Sequence, residues 1–179
     1  GAPFGMLGFM GKAATALVGP SQGLQIRWPD RTTLHEPELA IVIGTKIDRP
    51  VSIDEALTYV AGYCCVFDTT LQNDREDFAF CKSFDTYGTL GPWLVTADEI
   101  PDPSELGYKF WIDDDLRGER SFADLTASPA EMIAFASTVN TSAHSALHSV
   151  GKSCMRRPPR SCPSAEAKSV PAAQVQEFQ

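Results

Sequence analysis

The sequence predicts an α+β fold in which short strands outnumber helices. A continuous apolar run over residues 39–43 is typical of a strand that is buried on both faces. Two S-x-x-E patterns, beginning at Ser52 and Ser128, each precede apolar residues at helical spacing, as expected for a capping box at the start of a helix. With 179 residues, 43% of them hydrophobic, the chain can form one core.

The other elements follow from local patterns along the chain. Strands are predicted over residues 36–43, 63–67, 93–96, 108–112 and 117–122, and helices over 52–62 and 128–138. Residues 69–81 are polar and are interpreted as a loop. The last two strands flank residues 113–115, all Asp, which predicts a hairpin with an acidic turn; a calcium loop is the alternative interpretation. Trp93 and Phe84 are expected in the core.

Charge and cysteine content limit the classes of partner. A net charge of −8 and a pI of about 4.8 argue against nucleic acid or an anionic membrane as the main partner. Five cysteines without C-x-x-C spacing favour free thiols in a reducing compartment, so we expect a cytoplasmic protein. No apolar run is long enough to cross a bilayer, and the chain begins without Met, so we expect a processed or incomplete product.

Three carboxylates form a candidate metal site. If the segment around Pro37 is a strand, Glu36 and Glu38 point to the same face, and Asp68 ends the next predicted strand. Carboxylate oxygens, with water completing an octahedron, are the ligands that Mg²⁺ or Mn²⁺ prefers. The alternative interpretation is the solvent face of an edge strand, protected from aggregation by its charges and proline. His35 would point to the opposite face, which favours a packing or hydrogen-bonding role.

The composition changes at Asn140. From there Ser, Ala, Pro and basic residues dominate, with five basic residues against two acidic ones, and aromatic residues are scarce. We therefore predict a folded domain over residues 1–139 and an atypical, disordered tail over residues 140–179.

Six segments, taken together, carry a family resemblance. They are T-A-L-V-G-P at 15–20, H-E-P-E-L-A-I-V-I-G at 35–44, D-E-A-L at 54–57, Y-V-A-G-Y at 59–63, K-S-F-D-T at 82–86 and G-P-W-L-V-T-A-D-E-I at 91–100. In order and spacing the chain resembles the fumarylacetoacetate hydrolase family over about residues 9–137, which makes residues 1–139 a partial catalytic domain of that family. The resemblance implies a mixed β-sandwich roll around the active site, with short helices outside.

The resemblance also implies a cofactor and a catalytic lysine. Glu36, Glu38 and Asp68 would hold Mg²⁺ or Mn²⁺, and Lys82 would lie beside the metal and the substrate as a catalytic residue. The alternative interpretation of Lys82 is a solvated surface lysine that pairs with a neighbouring Asp, either Asp77 or Asp85.

Substrate binding is the part of the site in which the chain departs from the family pattern. The family often places an Arg four residues after the metal-binding Asp, and that position is Gln72 here. Arg75 is close enough in sequence to substitute, so Gln72 and Arg75 are the expected substrate-binding residues. Members usually also carry Gly-x-Asn-Tyr and a lid His upstream, and Pro-Gly-Asp and Thr-Gly-Thr-Pro downstream. This sequence has none of these motifs, and we expect a truncated start and a replaced C-terminus.

The activity implied by the resemblance is hydrolysis of carbon–carbon bonds in acylpyruvate-like or fumarylacetoacetate-like 2-oxo acids of aromatic catabolism, by a homodimer that depends on Mg²⁺ or Mn²⁺. The alternatives within the family are an isomerase, a decarboxylase or a hydratase acting on dienoic 2-oxo acids. A degenerate, non-catalytic copy is the alternative of another class.

Overall fold

The computed structural model describes residues 10–72, 78–140 and 147–150 of the chain. Its strands are β1 (Leu17–Val18), β2 (Thr33–Ile43), β3 (Val60–Leu71), β4 (Gly88–Leu90), β5 (Val95–Thr96), β6 (Gly107–Ile112), β7 (Asp115–Ser121) and β8 (Leu147–Val150). Its helices are α1 (Ile53–Ala56), α2 (Phe78–Lys82) and α3 (Pro129–Val139), with 3-10 turns at Ala14–Ala16, Leu57–Tyr59, Pro103–Glu105 and Phe122–Asp124. Strands predominate and the helices are short, which confirms the predicted fold class.

One mixed sheet organises the described residues. Its strand order is β1-β4-β3-β2-β8, and β5 also pairs with β3. The β1–β4 pair is parallel and the other pairs are antiparallel. The long β2–β3 ladder forms the centre of this sheet, while β6 and β7 form a separate hairpin. The predicted hairpin is therefore confirmed, with Asp113 and Asp114 joining its two strands.

The core lies mainly on one face of the β2–β3 ladder. Leu39, Ile41 and Ile43 of β2 are fully buried there and belong to one apolar cluster with Tyr63 of β3 and Ile133 of α3. On the opposite face, Ala40 packs in a smaller cluster with Cys64 and Val66 of β3. The apolar run is thus buried on both faces, as its composition predicts.

The helix α3 begins as the sequence predicts. The Ser128 hydroxyl accepts a hydrogen bond from the backbone N–H of Glu131, and the Glu131 carboxylate accepts one from the backbone N–H of Ser128. This reciprocal pair completes the capping box, with Pro129 at the first helical position.

The other predicted capping box does not form, and the helix it was meant to start is shorter than expected. The Ser52 side chain makes no cap hydrogen bond, and Glu55 instead pairs with Arg49 at 2.8 Å. The strand β3 begins at Val60, so Gly62 lies within the sheet rather than at a helix end. A side chain at Gly62 would collide with the carbonyl oxygen of Val95 on β5, so this glycine allows a close approach of two strands.

Three further predictions need correction. The segment interpreted as a loop contains the end of β3 and the helix α2, on either side of residues 73–77, which lie outside the described part of the chain. Trp93 is 71% exposed rather than in the core, and the predicted strand around it is reduced to β5. Phe84 is half-buried.

Among the described residues, no helix has the length and apolar character needed to cross a membrane.

Beyond Asn140, the structure describes four residues of the predicted disordered tail, 147–150. The strand β8 pairs antiparallel with β2, with Val150 opposite Leu39 and Leu147 opposite Val42. These four residues are therefore part of the sheet and not disordered. The rest of the tail from residue 141 lies outside the described residues.

Candidate metal centre

The three predicted metal ligands converge on one face of the β2–β3 ladder. Glu36 lies directly opposite Asp68, and Glu38 lies two residues further along β2 on the same face. Their carboxylate oxygens lie within 4.8 Å of one another. Glu36 is 7% exposed and Asp68 is 9% exposed, so the interpretation as a solvent-facing strand edge is wrong. We refer to Glu36, Glu38 and Asp68 as the carboxylate cluster.

Lys82 joins this cluster from the end of α2. Its ammonium group donates to Glu36 Oε1 at 2.9 Å and to Asp68 Oδ2 at 2.5 Å, and its side chain is buried. Asp85, the neighbour proposed as a surface partner, pairs instead with Arg27 at 2.9 Å. The prediction that Lys82 lies beside the carboxylates therefore agrees with its position, and the surface alternative does not. Asp77 lies outside the described residues.

Two members of the site are not anticipated by the sequence. Lys12 Nζ donates to Asp68 Oδ1 at 2.6 Å across 56 positions of sequence. The Thr70 hydroxyl donates to Glu36 Oε1 at 2.6 Å. Thr70 could have been found by strand alternation, since it lies two residues after Asp68 on the same face. Lys12 precedes a short 3-10 turn, and no local pattern signals its partner.

The pKa values of Lys12 and Lys82 shift in opposite directions. Burial lowers the pKa of Lys12, and the attraction of Asp68 only partly offsets this effect. Burial also acts on Lys82, but hydrogen bonds and charges from Asp68 and Glu36 outweigh it, so the pKa of Lys82 is raised. Lys82 is therefore a fixed positive charge at neutral pH.

An aromatic cluster holds the segment that carries Lys82. The ring of Phe84 lies 4.8 Å from that of Trp28, 5.1 Å from that of Phe80 and 5.0 Å from that of Tyr87, in edge-to-face arrangements. Phe80 and Phe84 flank Lys82 in sequence, so their packing fixes the backbone on both sides of the lysine.

The other residues considered for the site are Gln72, Arg75 and His35. Gln72 is exposed just beyond β3, where its backbone N–H donates to the carbonyl oxygen of Thr32 at 2.9 Å. Arg75 lies outside the described residues, so a substrate-binding role for this pair stays a prediction. His35 is opposite Thr69 in the ladder and faces away from the carboxylate cluster, and burial lowers the pKa of its imidazole.

The donor set of this site suits a hard divalent cation. The carboxylate cluster offers oxygens from three residues, with the Thr70 hydroxyl beside them. None of these ligand groups is an imidazole or a thiolate. The three carboxylates carry three negative charges. The ammonium groups of Lys12 and Lys82 balance two of them, so one negative charge remains. A divalent cation would reverse the sign of the site and prepare it for an anionic ligand.

Comparison with known proteins agrees with this geometry. The family model described as fumarylacetoacetate (FAA) hydrolase C-terminal matches residues 2–144. The chain belongs to the fumarylacetoacetate hydrolase family. A maleylpyruvate hydrolase of Aquipseudomonas alcaligenes is 42% identical over 130 residues, which cover 73% of this chain and 45% of that relative.

Solved structures of the fumarylacetoacetate hydrolase family share the fold. The crystal structure of a maleylpyruvate hydrolase from Sphingobium sp. SYK-6 in complex with manganese(II) ion and pyruvate is 36% identical, with a TM-score of 0.70, and the match covers 76% of this chain and 50% of that one. A 5-carboxymethyl-2-hydroxymuconate delta-isomerase from Mycobacterium smegmatis is 28% identical, with a TM-score of 0.70, over 76% of this chain and 54% of that one. The chain spans about half the length of these relatives.

Proposed function

We propose that this chain provides the metal-binding part of a hydrolase that cleaves a carbon–carbon bond in an acylpyruvate-type 2-oxo acid of aromatic catabolism. One observation supports the proposal: the carboxylate cluster, with Glu36 and Asp68 buried, contacts two lysines in a chain that is similar to a hydrolase solved with manganese and pyruvate. Mg²⁺ is the other cation that suits the same oxygens. The cysteine pattern supports a cytoplasmic location, and the family resemblance supports a homodimer.

The carboxylate cluster would hold the cation through Glu36, Glu38 and Asp68. When bound, a divalent cation supplies a Lewis acid for the carboxylate and oxo oxygens of a 2-oxo acid. Thr70 orients Glu36 through its hydrogen bond, so that one ligand is held in place before any cation arrives.

Lys82 would stabilise the negative charge that develops on the substrate. In the reaction, water adds to the acyl carbonyl carbon and the bond to the neighbouring CH₂ breaks. The electron pair of that bond passes into a pyruvate enolate, which takes up a proton, while the acyl part leaves as a carboxylic acid. A buried ammonium group in a site of low dielectric stabilises such an enolate better than water does. Because its ammonium group is held between Glu36 and Asp68, we assign Lys82 an electrostatic role.

Isomerisation is the second candidate function. The similarity to a delta-isomerase supports it, because shifting a double bond needs the same enolate stabilisation but no attacking water. Product analysis separates the two activities. Release of pyruvate from an acylpyruvate indicates hydrolysis, whereas a shifted absorbance spectrum at constant mass indicates isomerisation.

Calorimetric titration of the full chain with Mn²⁺ and Mg²⁺ tests the metal site. Binding should be lost in Glu36→Ala/Glu38→Ala and kept in the exposed control pair Glu105→Ala/Glu119→Ala. An assay of pyruvate release in the presence of Mn²⁺ follows, with Asp68→Ala as the inactive variant. No cation binding by the parent chain would sink the proposal. Cation binding without turnover of any 2-oxo acid would favour the non-catalytic alternative.

A further inference from the structure

Among the described residues of the site, Lys12 is the charged group that the proposed reaction does not use. Its ammonium group contacts Oδ1 of Asp68, while Lys82 contacts Oδ2 of the same carboxylate. The Lys12 side chain is 21% exposed and that of Lys82 is 7% exposed. Lys12 is therefore nearer to solvent, the side from which a ligand arrives.

The path of the Lys12 side chain is built into the sheet. Gly88 on β4 lies directly opposite Asp68, and Leu17 on β1 pairs with Gly88. A Cβ atom at Gly88 would lie 3.0 Å from Cε of Lys12 and 2.7 Å from a methyl group of Leu17. The absence of a side chain at Gly88 thus gives the Lys12 stem room to cross β4 and reach the carboxylate.

The charge of Lys12 has opposite effects on the two ligands of the proposed site. It repels a divalent cation that binds to Asp68, and it attracts an anion that binds next to that cation. Because the group is partly screened by water, both effects are moderate.

We propose that Lys12 is a specificity-determining residue that weakens binding of a divalent cation to the carboxylate cluster and strengthens binding of an anionic 2-oxo acid to the cation-loaded site. The inference rests on the proposed function, since it assumes that the carboxylate cluster binds the cation. Lys12, which is not one of the three carboxylate residues, would thus make the site prefer an anionic 2-oxo acid to an uncharged analogue.

Calorimetry on the full 179-residue chain tests this inference, with Mn²⁺ as the first probe and pyruvate as the second. In Lys12→Met, the Kd for Mn²⁺ should fall roughly tenfold, and the Kd of the Mn²⁺-saturated protein for pyruvate should rise roughly tenfold, from the Coulomb effect of one unit charge a few ångströms away. Binding of methyl pyruvate, which lacks the charge, should not weaken. Lys12→Arg should restore both affinities, and Lys46→Met, which removes an exposed lysine, should change neither.

The outcomes separate this inference from the proposed function. A merely structural Lys12 would weaken the binding of both Mn²⁺ and pyruvate in Lys12→Met, and that result would overturn the inference. Unchanged affinities in Lys12→Met would overturn it as well, while leaving the metal site intact. No Mn²⁺ binding by the parent chain would remove both proposals. Gly88→Ala provides a second variant, because it displaces the Lys12 stem without removing the charge, and it should shift both affinities in the same directions by less.

Discussion

The two faces of the β2–β3 ladder carry different side chains although they share the same backbone. One face presents Leu39, Ile41 and Tyr63 to the apolar core. The other presents the small apolar cluster around Ala40 and, further along the strands, buried Glu36 and Asp68 with buried Lys82 and partly exposed Lys12. Alternation along a strand is enough to separate the two sets, so a single pair of strands both stabilises the domain and forms its charged site.

The two faces contribute to stability in different ways. Burial of apolar side chains is favourable by about 25 cal/mol per Å² removed from water. Burial of charges is unfavourable, and the ion pairs with Lys82 and Lys12 must offset that desolvation. The charged face is therefore sensitive to the loss of one partner, whereas the apolar face is sensitive to the loss of volume.

The largest effect is expected for Lys82→Met. The substitution keeps most of the side-chain volume but leaves Glu36 and Asp68 buried without their shared ammonium partner. We expect the free energy of unfolding of the metal-free protein to fall by about 3–5 kcal/mol, the usual result of removing one member of a buried ion pair. Urea denaturation followed by tryptophan fluorescence measures this change.

The control for this prediction is Lys46→Met. Lys46 pairs with Asp48 at 3.3 Å in an exposed position, so its loss should change the stability by less than about 1 kcal/mol. If the two lysine variants had the same stability, the buried ammonium group would not be balancing the carboxylates.

A smaller or equal effect is expected on the apolar face from Ile41→Ala. Ile41 is fully buried, and its truncation removes apolar contacts and leaves a cavity, which costs about 2–5 kcal/mol. Ile53, which is 52% exposed at the start of α1, provides a matched control, and Ile53→Ala should change stability by less than about 0.5 kcal/mol. Mn²⁺ affinity should be unaffected in folded Ile41→Ala, because the cavity lies on the face away from the carboxylates. A weakened Mn²⁺ site would show that the two faces are not independent.

Local patterns predict the ligands of the site because strand alternation is a local rule. Glu36 and Glu38 can be assigned to one face from their spacing alone, and the buried run that follows them fixes which residues form the core. Asp68, which lies opposite Glu36 on β3, cannot be assigned by this local rule. Asp68 meets Glu36 through pairing of strands whose register depends on the whole sheet. Its position after a predicted strand makes it a candidate, but the family resemblance and not the spacing implies the contact.

Local sequence patterns do not predict features that depend on contacts between residues far apart in the chain. Lys12 reaches Asp68 because Gly88 leaves space on an intervening strand, and neither residue has a local pattern that indicates this contact. The helix α2 spans only Phe78–Lys82, which is too short for helical periodicity to identify it. The strand β8 gains its structure from pairing with β2, although its own composition favours disorder.

Trp93 is an exposed apolar residue that belongs to neither face of the ladder. It follows Pro92 and is 71% exposed, although its size and its place in a predicted strand favoured the core. Trp93→Ala should therefore lower the free energy of unfolding by less than about 0.5 kcal/mol, as for other exposed sites, in the same urea experiment. The Mn²⁺ affinity should also stay unchanged. A loss of more than about 2 kcal/mol that increases with protein concentration would mean that Trp93 is buried between two copies of the chain in solution, because only assembly makes stability depend on concentration.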